Sequence, residues 1–462
     1  MPISCSRLLI ASLFLTLTLP LRAQQADPIV RVYVLSRVAP QSITVRATDG
    51  PLTVYANRDN IPVHTLLPGE TVTIDRVGDR VRITTPAGAM QATVGEVVPS
   101  NGSVVTIRTG MHRRVYHGAL SVEIDNGRRA MRLVNYVPLE DYVASVVAGE
   151  YPFNEMEGVK AQAVLARTYA LRAAGNHDAY DLVDDTRAQV YEGIEKETDV
   201  TRTAAEATRG QVLSYRGELV EALYFSSSGG HTASNEDIWN TRPVPYLRGR
   251  PDPYDSAAPD HRWSTSASTS ELLRALGRRF GGSVSGFEIT RRAPSGRVLS
   301  VRLRGSRSQT VTASQFRSVV TSAFGSRMLR STHFSVERRG NRYVFNGRGF
   351  GHGVGMSQFG ARGQARQGRS YRDILSFYFT NTSIDFHDSA LVSRPNIATN
   401  TPHRTRPTPR AEAHAAPQQE PVRIAATPLL PAPRATQHAS IESAPTWSGR
   451  AETSGRPRRT AW

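Results

Sequence analysis

The stretch Val137-Pro-Leu-Glu-Asp-Tyr-Val-Ala-Ser-Val-Val-Ala-Gly-Glu150 marks a change in the hydrophobic period of the chain. After Pro138, which suits a first helical turn, Leu139, Val143, Val146 and Val147 recur on one helical face. The predicted helix ends near Gly149-Glu150, because Pro152 halts it. Asn154 with Glu157 three residues later is a capping signature for a second helix running to about Ala174. On that helix Lys160 and Arg167 are seven residues apart, as are Gln162 and Tyr169, so each pair lies two turns apart on one side. Four polar side chains are thereby expected to flank a carboxylate at the junction.

Outward from this helical pair the pattern is mostly β. From Ile29 to about Arg113 short strand-like runs such as Ile29-Val-Arg-Val-Tyr-Val34 and Thr71-Val-Thr-Ile74 are broken by turns at Asp49-Gly50 and Gly78-Asp79. A hairpin of Ala119 to Asp125 with Arg129 to Val134 follows, flanking Asn126-Gly127, a dipeptide that favours a type I′ turn. Beyond the second helix come a helix near Val200 to Arg209, a hairpin of Gln211 to Tyr215 with Glu218 to Ser226, a helix near Ser270 to Phe280, further strands and a last helix from about Tyr371 to Phe379. Helices and antiparallel hairpins mix without βαβ alternation, which predicts an α+β fold.

Four segments are expected: a signal peptide over 1–23, a β-rich accessory region over 24–113, a catalytic domain over 114–388, and a disordered Pro-, Ala- and Arg-rich tail over 389–462. The signal reading rests on Arg7, the apolar run Leu8 to Leu19 and the small-residue site at Ala23, which place the mature start near Gln24. No later run approaches the ~20 apolar residues of a membrane helix, so an exported protein without a transmembrane anchor is expected. Cys5, the only cysteine, falls in the signal segment, leaving no disulfide and no thiolate ligand.

The formal charge of +17 is carried by arginine, since Lys160 and Lys196 are the only lysines among 57 basic residues. Between 391 and 462 ten arginines stand against four acids, a net of +6. For an exported chain this balance predicts acidic wall or envelope polymers as neighbours, bound through the tail, rather than nucleic acid.

The residues leave two readings of Glu150, a solvated helix end or a general acid. A carboxylate at a helix C-terminus faces the unfavourable end of the macrodipole, which favours the protonated form an acid needs. Lys160 is either incidental or a compact ammonium chosen over the chain's usual guanidinium. Arg167 reads equally as a surface charge, and Tyr169 as a core ring with a satisfied hydroxyl.

A second constellation is Gly347-Arg-Gly-Phe-Gly-His-Gly-Val-Gly-Met-Ser-Gln358, with glycine at alternate positions. On a strand one face would lack side chains, admitting a sugar ring or another backbone, while Arg348, Phe350 and His352 share the other. A structural glycine-rich crossing is the alternative. Between the two constellations, Tyr224-Phe-Ser-Ser-Ser-Gly-Gly-His-Thr232 exposes His231 after a Gly-Gly turn, as a structural or substrate-contacting residue; no metal partners stand at fixed spacing.

Five blocks in order closely resemble the stage II sporulation protein D family, which includes lytic transglycosylases and amidase enhancers: Leu139-Glu-Asp-Tyr-Val to Glu150, Lys160-Ala-Gln-Ala to Arg167-Thr-Tyr-Ala, Asp185-Thr to Gln189-Val-Tyr, the Ser-Gly-Gly-His-Thr turn, and Gly349 to Gln358. The resemblance runs from about Tyr116 to Phe379. It implies cleavage of the β-1,4 bond after N-acetylmuramic acid with a 1,6-anhydro product, Glu150 acting as acid and then base. It also implies substrate contacts at Lys160, Gln162, Arg167 and Tyr169, with the block containing His352, Ser357 and Gln358 forming another part of the groove. Zinc-binding relatives carry cysteines in segments where this chain has Val183, Ala188 and Ser228, so neither metal nor other cofactor is expected. The implied partners are peptidoglycan glycan strands and, in the rival reading of a non-catalytic enhancer, a cell-wall amidase.

Overall fold

Alternating apolar and polar residues bury every second side chain in strands Ser42–Ala47 and Arg80–Thr85, the signature of a sheet with one face on a core. The computed structural model describes residues 27–387, apart from 101 and 176. The signal segment expected over 1–23 and the tail over 389–462 lie outside the described residues.

Six antiparallel strands, Ser42–Ala47, Thr71–Val77, Arg80–Thr85, Gly88–Ala92, Val105–Thr109 and His112–Tyr116, form one sheet. A second, seven-stranded sheet contains Ile29–Val34, Leu52–Ala56, Pro62–Leu66, Val94–Pro99, Ala119–Asp125, Ala130–Pro138 and the short Leu182–Val183. Gly95 lets the two sheets meet closely, since a Cβ there would stand 3.2 Å from Ile83 and 3.6 Å from Ile74. Ile29–Val34 pairs along Ala130–Pro138, so the first strand of the chain is hydrogen-bonded to the strand that delivers the first helix.

Eight helices follow among the described residues: α1 Leu139–Glu150, α2 Met156–Ala173, α3 Asp199–Ala207, α4 Asn235–Trp239, α5 Thr269–Phe280, α6 Ala313–Phe324, α7 Gln358–Arg366 and α8 Tyr371–Tyr378. None is long and apolar enough to cross a membrane. The fold is α+β. One core joins the two sheets to α1, α2, α7 and α8. A second, built from Trp263, Leu272, Leu303, Phe316, Phe334 and Phe345, joins α5 and α6 to two three-stranded sheets between residues 263 and 347.

Two local expectations change. Asp125 pairs with Ala130, so the hairpin closes through four residues, with Arg129 rather than Asn126 at positive φ and the Arg128 N–H bonded to the Asp125 carbonyl. At α2 the N-cap is Glu155 with no side-chain cap. Glu157 is instead used tertiarily, accepting from Lys160 Nζ at 2.7 Å and from the Tyr371 N–H at the start of α8 at 2.8 Å.

Candidate functional site

Glu150 is the last residue of α1 and is half-buried. Gly149 makes its setting possible: a Cβ there would lie 2.7 Å from the Val190 carbonyl oxygen, so only glycine lets residues 189–191 pass against the helix end. That approach brings the Val190 N–H to the Glu150 carboxylate at 2.7 Å. The passing segment is held from behind. Tyr191 donates to Asn135 Oδ1 at 2.7 Å and Tyr142 to Gln189 Oε1 at 3.0 Å, with Gln189 and Asn135 fully buried.

Gln189 Nε2 donates in turn to the Tyr224 hydroxyl at 3.0 Å. The Tyr224 phenol also faces the Glu150 carboxylate: it lowers the carboxyl pKa, and the carboxylate charge in turn raises that of the phenol. The order of donation runs from Tyr142 through Gln189 to Tyr224, which stands beside Glu150. Burial raises the Glu150 pKa, while the Val190 and Tyr224 hydrogen bonds pull against it. No other carboxylate contributes to that shift. Tyr169 of α2 faces the same charge: burial first, then Glu150, raises its phenol pKa.

The glycine-rich segment supports this arrangement from outside. It is not a continuous strand: regular pairing stops at Gly347, a single antiparallel bridge joins Phe350 to Ser227, and strand pairing resumes at Met356–Ser357, which runs parallel to Tyr224–Phe225. Gly349, Gly351, Gly353 and Gly355 all have positive φ, which breaks the pleat and removes the single bare face expected of a strand. The glycines do admit close neighbours, but these belong to the chain. A Cβ at Gly355 would meet the Leu223 carbonyl at 2.1 Å, and one at Gly353 the Arg297 guanidinium at 2.4 Å.

His352 packs against Phe225 and Trp239, donates from Nε2 to the Tyr224 carbonyl at 2.9 Å, and accepts the Val354 N–H at Nδ1. Burial lowers its pKa to about 4, so the ring is neutral at neutral pH and holds the backbone of Tyr224. Gln358, at the start of α7, donates from Nε2 to the Glu150 backbone carbonyl at 2.9 Å, satisfying an end group of α1. Ser357 caps α7 and donates to Asp255, a fully buried carboxylate that also accepts from Ser227 and from the N–H groups of Ser228 and Gly229. Asp255 thus ties the Ser-Gly-Gly turn to the end of the glycine-rich segment.

Of the nine residues singled out from sequence, Glu150, Tyr169, Gln358 and, through Tyr224, His352 come together. Lys160 pairs with Glu157 and lies over the Tyr371 ring. Arg167 has no exposed surface and forks onto Glu140 of α1, with further bonds to the Ala205 and Gln211 carbonyls. Gln162 is fully buried with neither amide atom hydrogen-bonded. The His231 Nδ1 bonds the Thr232 carbonyl at 2.6 Å, and Ser357 serves the Asp255 knot. Sequence reasoning does not single out Gln189 and Tyr224; the signal it offers is their place inside the Asp185–Tyr191 and Tyr224–Thr232 stretches. Among the described residues no group of three His, Cys, Asp or Glu side chains is placed to hold a metal ion.

Residues 127–215 match the family model of the stage II sporulation protein, and 251–355 match a domain of unknown function. Over 291 residues the chain is 33% identical to stage II sporulation protein D of Bacillus subtilis (strain 168), covering 59% of this chain and 82% of that protein. An uncharacterized protein of Brachyspira hyodysenteriae is 30% identical over 366 residues, covering 77% and 92%. An amidase enhancer of Bacillus subtilis is 29% identical over 284 residues, covering 52% of this chain and 39% of the enhancer.

Proposed function

Because the chain belongs to the stage II sporulation protein D family, we propose that it is an exported peptidoglycan lytic transglycosylase in which Glu150 is both acid and base. The observation that carries this reading is the setting of one carboxyl group. Burial favours its protonated form, while Val190 and Tyr224 stand ready to stabilise the carboxylate left when the proton departs. Glu150 transfers its proton to the glycosidic oxygen, which leaves as the 4-hydroxyl of N-acetylglucosamine as its bond to C1 of N-acetylmuramic acid breaks. The 6-hydroxyl of the muramic residue then bonds to C1 and returns its proton to Glu150. One C–O bond is exchanged for another and no water is consumed. A single carboxylate suffices when the 2-acetamido group assists, a recognised departure from the two-carboxylate scheme.

Tyr169 and Tyr224 are proposed to line the sugar site, with Gln189, His352 and Gln358 as positioning residues. The test is mass analysis of products from peptidoglycan with and without stem peptides. Release of 1,6-anhydromuropeptides that disappears in Glu150→Gln supports the assignment, and undiminished release by that variant refutes it. The rate should fall as pH rises through the raised pKa of Glu150. The identity to an amidase enhancer favours a second reading, a non-catalytic glycan binder that activates an amidase. Absence of anhydro products together with stimulation of a purified amidase would select it.

A further inference from the structure

A cleft of about 710 Å3, whose lining does not include Glu150, is built within the 251–355 segment whose family model carries no function. Its size falls within the range of small-ligand sites. Arg262, Arg292 and Arg348 line it and no Asp or Glu does. Arg262 and Arg348 take part in no ion pair among the described residues, and Arg292 bonds only the Gly296 carbonyl. Neighbouring arginines differ, since Arg327 and Arg330 both neutralise Asp260.

The walls are the end of a three-stranded sheet. Trp263 and Phe334 both pair with Gly347, and in the next row Ser264 and Ser335 both pair with Asn346, all three residues of that row being exposed. Cross-strand partners share a face, so two hydroxyls and an amide stand side by side at the cleft. Arg297, next in sequence to the lining residue Gly296, is fully buried against Gly353 with Nε and Nη1 lacking hydrogen-bond partners. The field of these charges shows at His333, which lines the cleft: burial, then Arg297, Arg348 and Arg292, lower its pKa to about 4.

We infer that this cleft binds a carboxylate carried by a glycan, with the guanidinium groups of Arg262, Arg292 and Arg348 taking the anion and the Ser264–Asn346–Ser335 row taking sugar hydroxyls. Guanidinium forks match the two oxygens of a carboxylate. Arg348 lies four residues before His352, a backbone span of at most about 14 Å, so the cleft adjoins the support of Tyr224 and Glu150. The choice of carboxylate rests on the peptidoglycan reading. Such a glycan offers two sources, the lactyl carboxylate of a strand without stems and the carboxylates of a stem peptide.

The test is an NMR titration of the full Glu150→Gln chain with N-acetylmuramic acid, a muramyl dipeptide, the neutral trimer of N-acetylglucosamine, and a glycerol phosphate polymer. At least one of the two carboxylate probes should bind and weaken about tenfold or more in Arg262→Gln/Arg348→Gln. The same charge change in Arg274→Gln/Arg278→Gln on α5 should leave it unchanged, with melting temperatures confirming that both double variants fold. Tighter N-acetylmuramic acid assigns the lactyl group, and tighter dipeptide the stem. Binding of neither carboxylate probe, equal loss in the two double variants, or preference for the phosphate polymer would overturn the inference. Binding is read without cleavage, so retained cleavage by Glu150→Gln would sink the catalytic reading and leave this result standing.

Discussion

Tyr224→Phe removes one oxygen from the centre of the proposed catalytic relay and leaves the ring in place. The phenol accepts from Gln189 Nε2 and, in the proposed relay, gives its proton to Glu150, so its loss has two separable effects. The donation stabilises the carboxylate; without it Glu150 holds its proton more tightly. A hydrogen bond to an ionised group contributes about 1.5–3 kcal/mol, and the half-open site argues for the lower figure, equivalent to roughly tenfold in proton affinity. The acid form therefore persists to higher pH, and the falling limb of the pH–rate profile moves upward. Below that limb the maximal rate drops about tenfold, because the carboxylate left after proton transfer has lost a donor. Separately, the buried Gln189 amide loses an acceptor, at about 1–3 kcal/mol of folding stability. The assay is anhydromuropeptide release from pH 4 to 9 for both proteins, with urea unfolding alongside. A limb that stays put or moves downward refutes the donor role of Tyr224, even if the rate falls.

Arg167→Leu leaves Glu140 buried without its cation, and urea unfolding should show a loss of about 3–5 kcal/mol. Replacing both partners by apolar residues should restore much of it. His352 has a folded pKa of about 4 against 6.5 in the unfolded chain, so the unfolded state binds its proton first. The stability this group contributes is present above pH 6.5 and lost as pH falls toward 4. Asp252, raised to about 6 by burial and then Asp255, runs the opposite way, losing stability as pH rises from 3.8 to 6. The check is therefore a difference: the gap in unfolding free energy between wild type and His352→Gln should shrink on acidification. Gly353→Ala combines a φ of +94° with a Cβ 2.4 Å from the Arg297 guanidinium, and a loss of at least about 2 kcal/mol is expected by thermal melting.

Periodicity sufficed for α1, α2, α3, α5 and α8, because their apolar residues recur at helical spacing over two or more turns. It did not reveal α4, α6 or α7. In α7 Gln358-Phe-Gly-Ala-Arg-Gly-Gln-Ala-Arg366 glycines occupy two positions that packing demands, Gly360 against the Tyr378 hydroxyl and Gly363 against the Tyr254 carbonyl. Tertiary contact there overrides propensity. Glu150 was legible from its place at a helix end. Its partners were not, because spacing along α2 orders side chains around a helix axis without saying which neighbour each side meets. Arg167 and Lys160 share that side and find Glu140 and Glu157 instead. Likewise a glycine at every second position is the pattern of a bare strand face and equally of a chain turning through alternate left-handed residues; only the neighbours at Leu223, Phe225 and Arg297 decide between them.

The setting of Glu150 is assembled from segments far apart in sequence. Val190 lies 40 residues from it and Gln358 lies 208 away, while Tyr224 is fixed through its side chain by Gln189 and through its carbonyl by His352. Each contact alone is an ordinary hydrogen bond. Together they hold the end of α1 from three sides, the carboxylate by Val190 and Tyr224 and the backbone carbonyl by Gln358. A carboxyl group that must first give and then take a proton needs donors fixed in advance, since reorganising them during the reaction would add to its barrier. Val190, Tyr224 and Gln358 each supply one fixed point around a single residue, while the Ser-Gly-Gly turn acts at a distance through Asp255. Substitution at any of them should change the pH limb or the maximal rate more than it changes the binding of glycan.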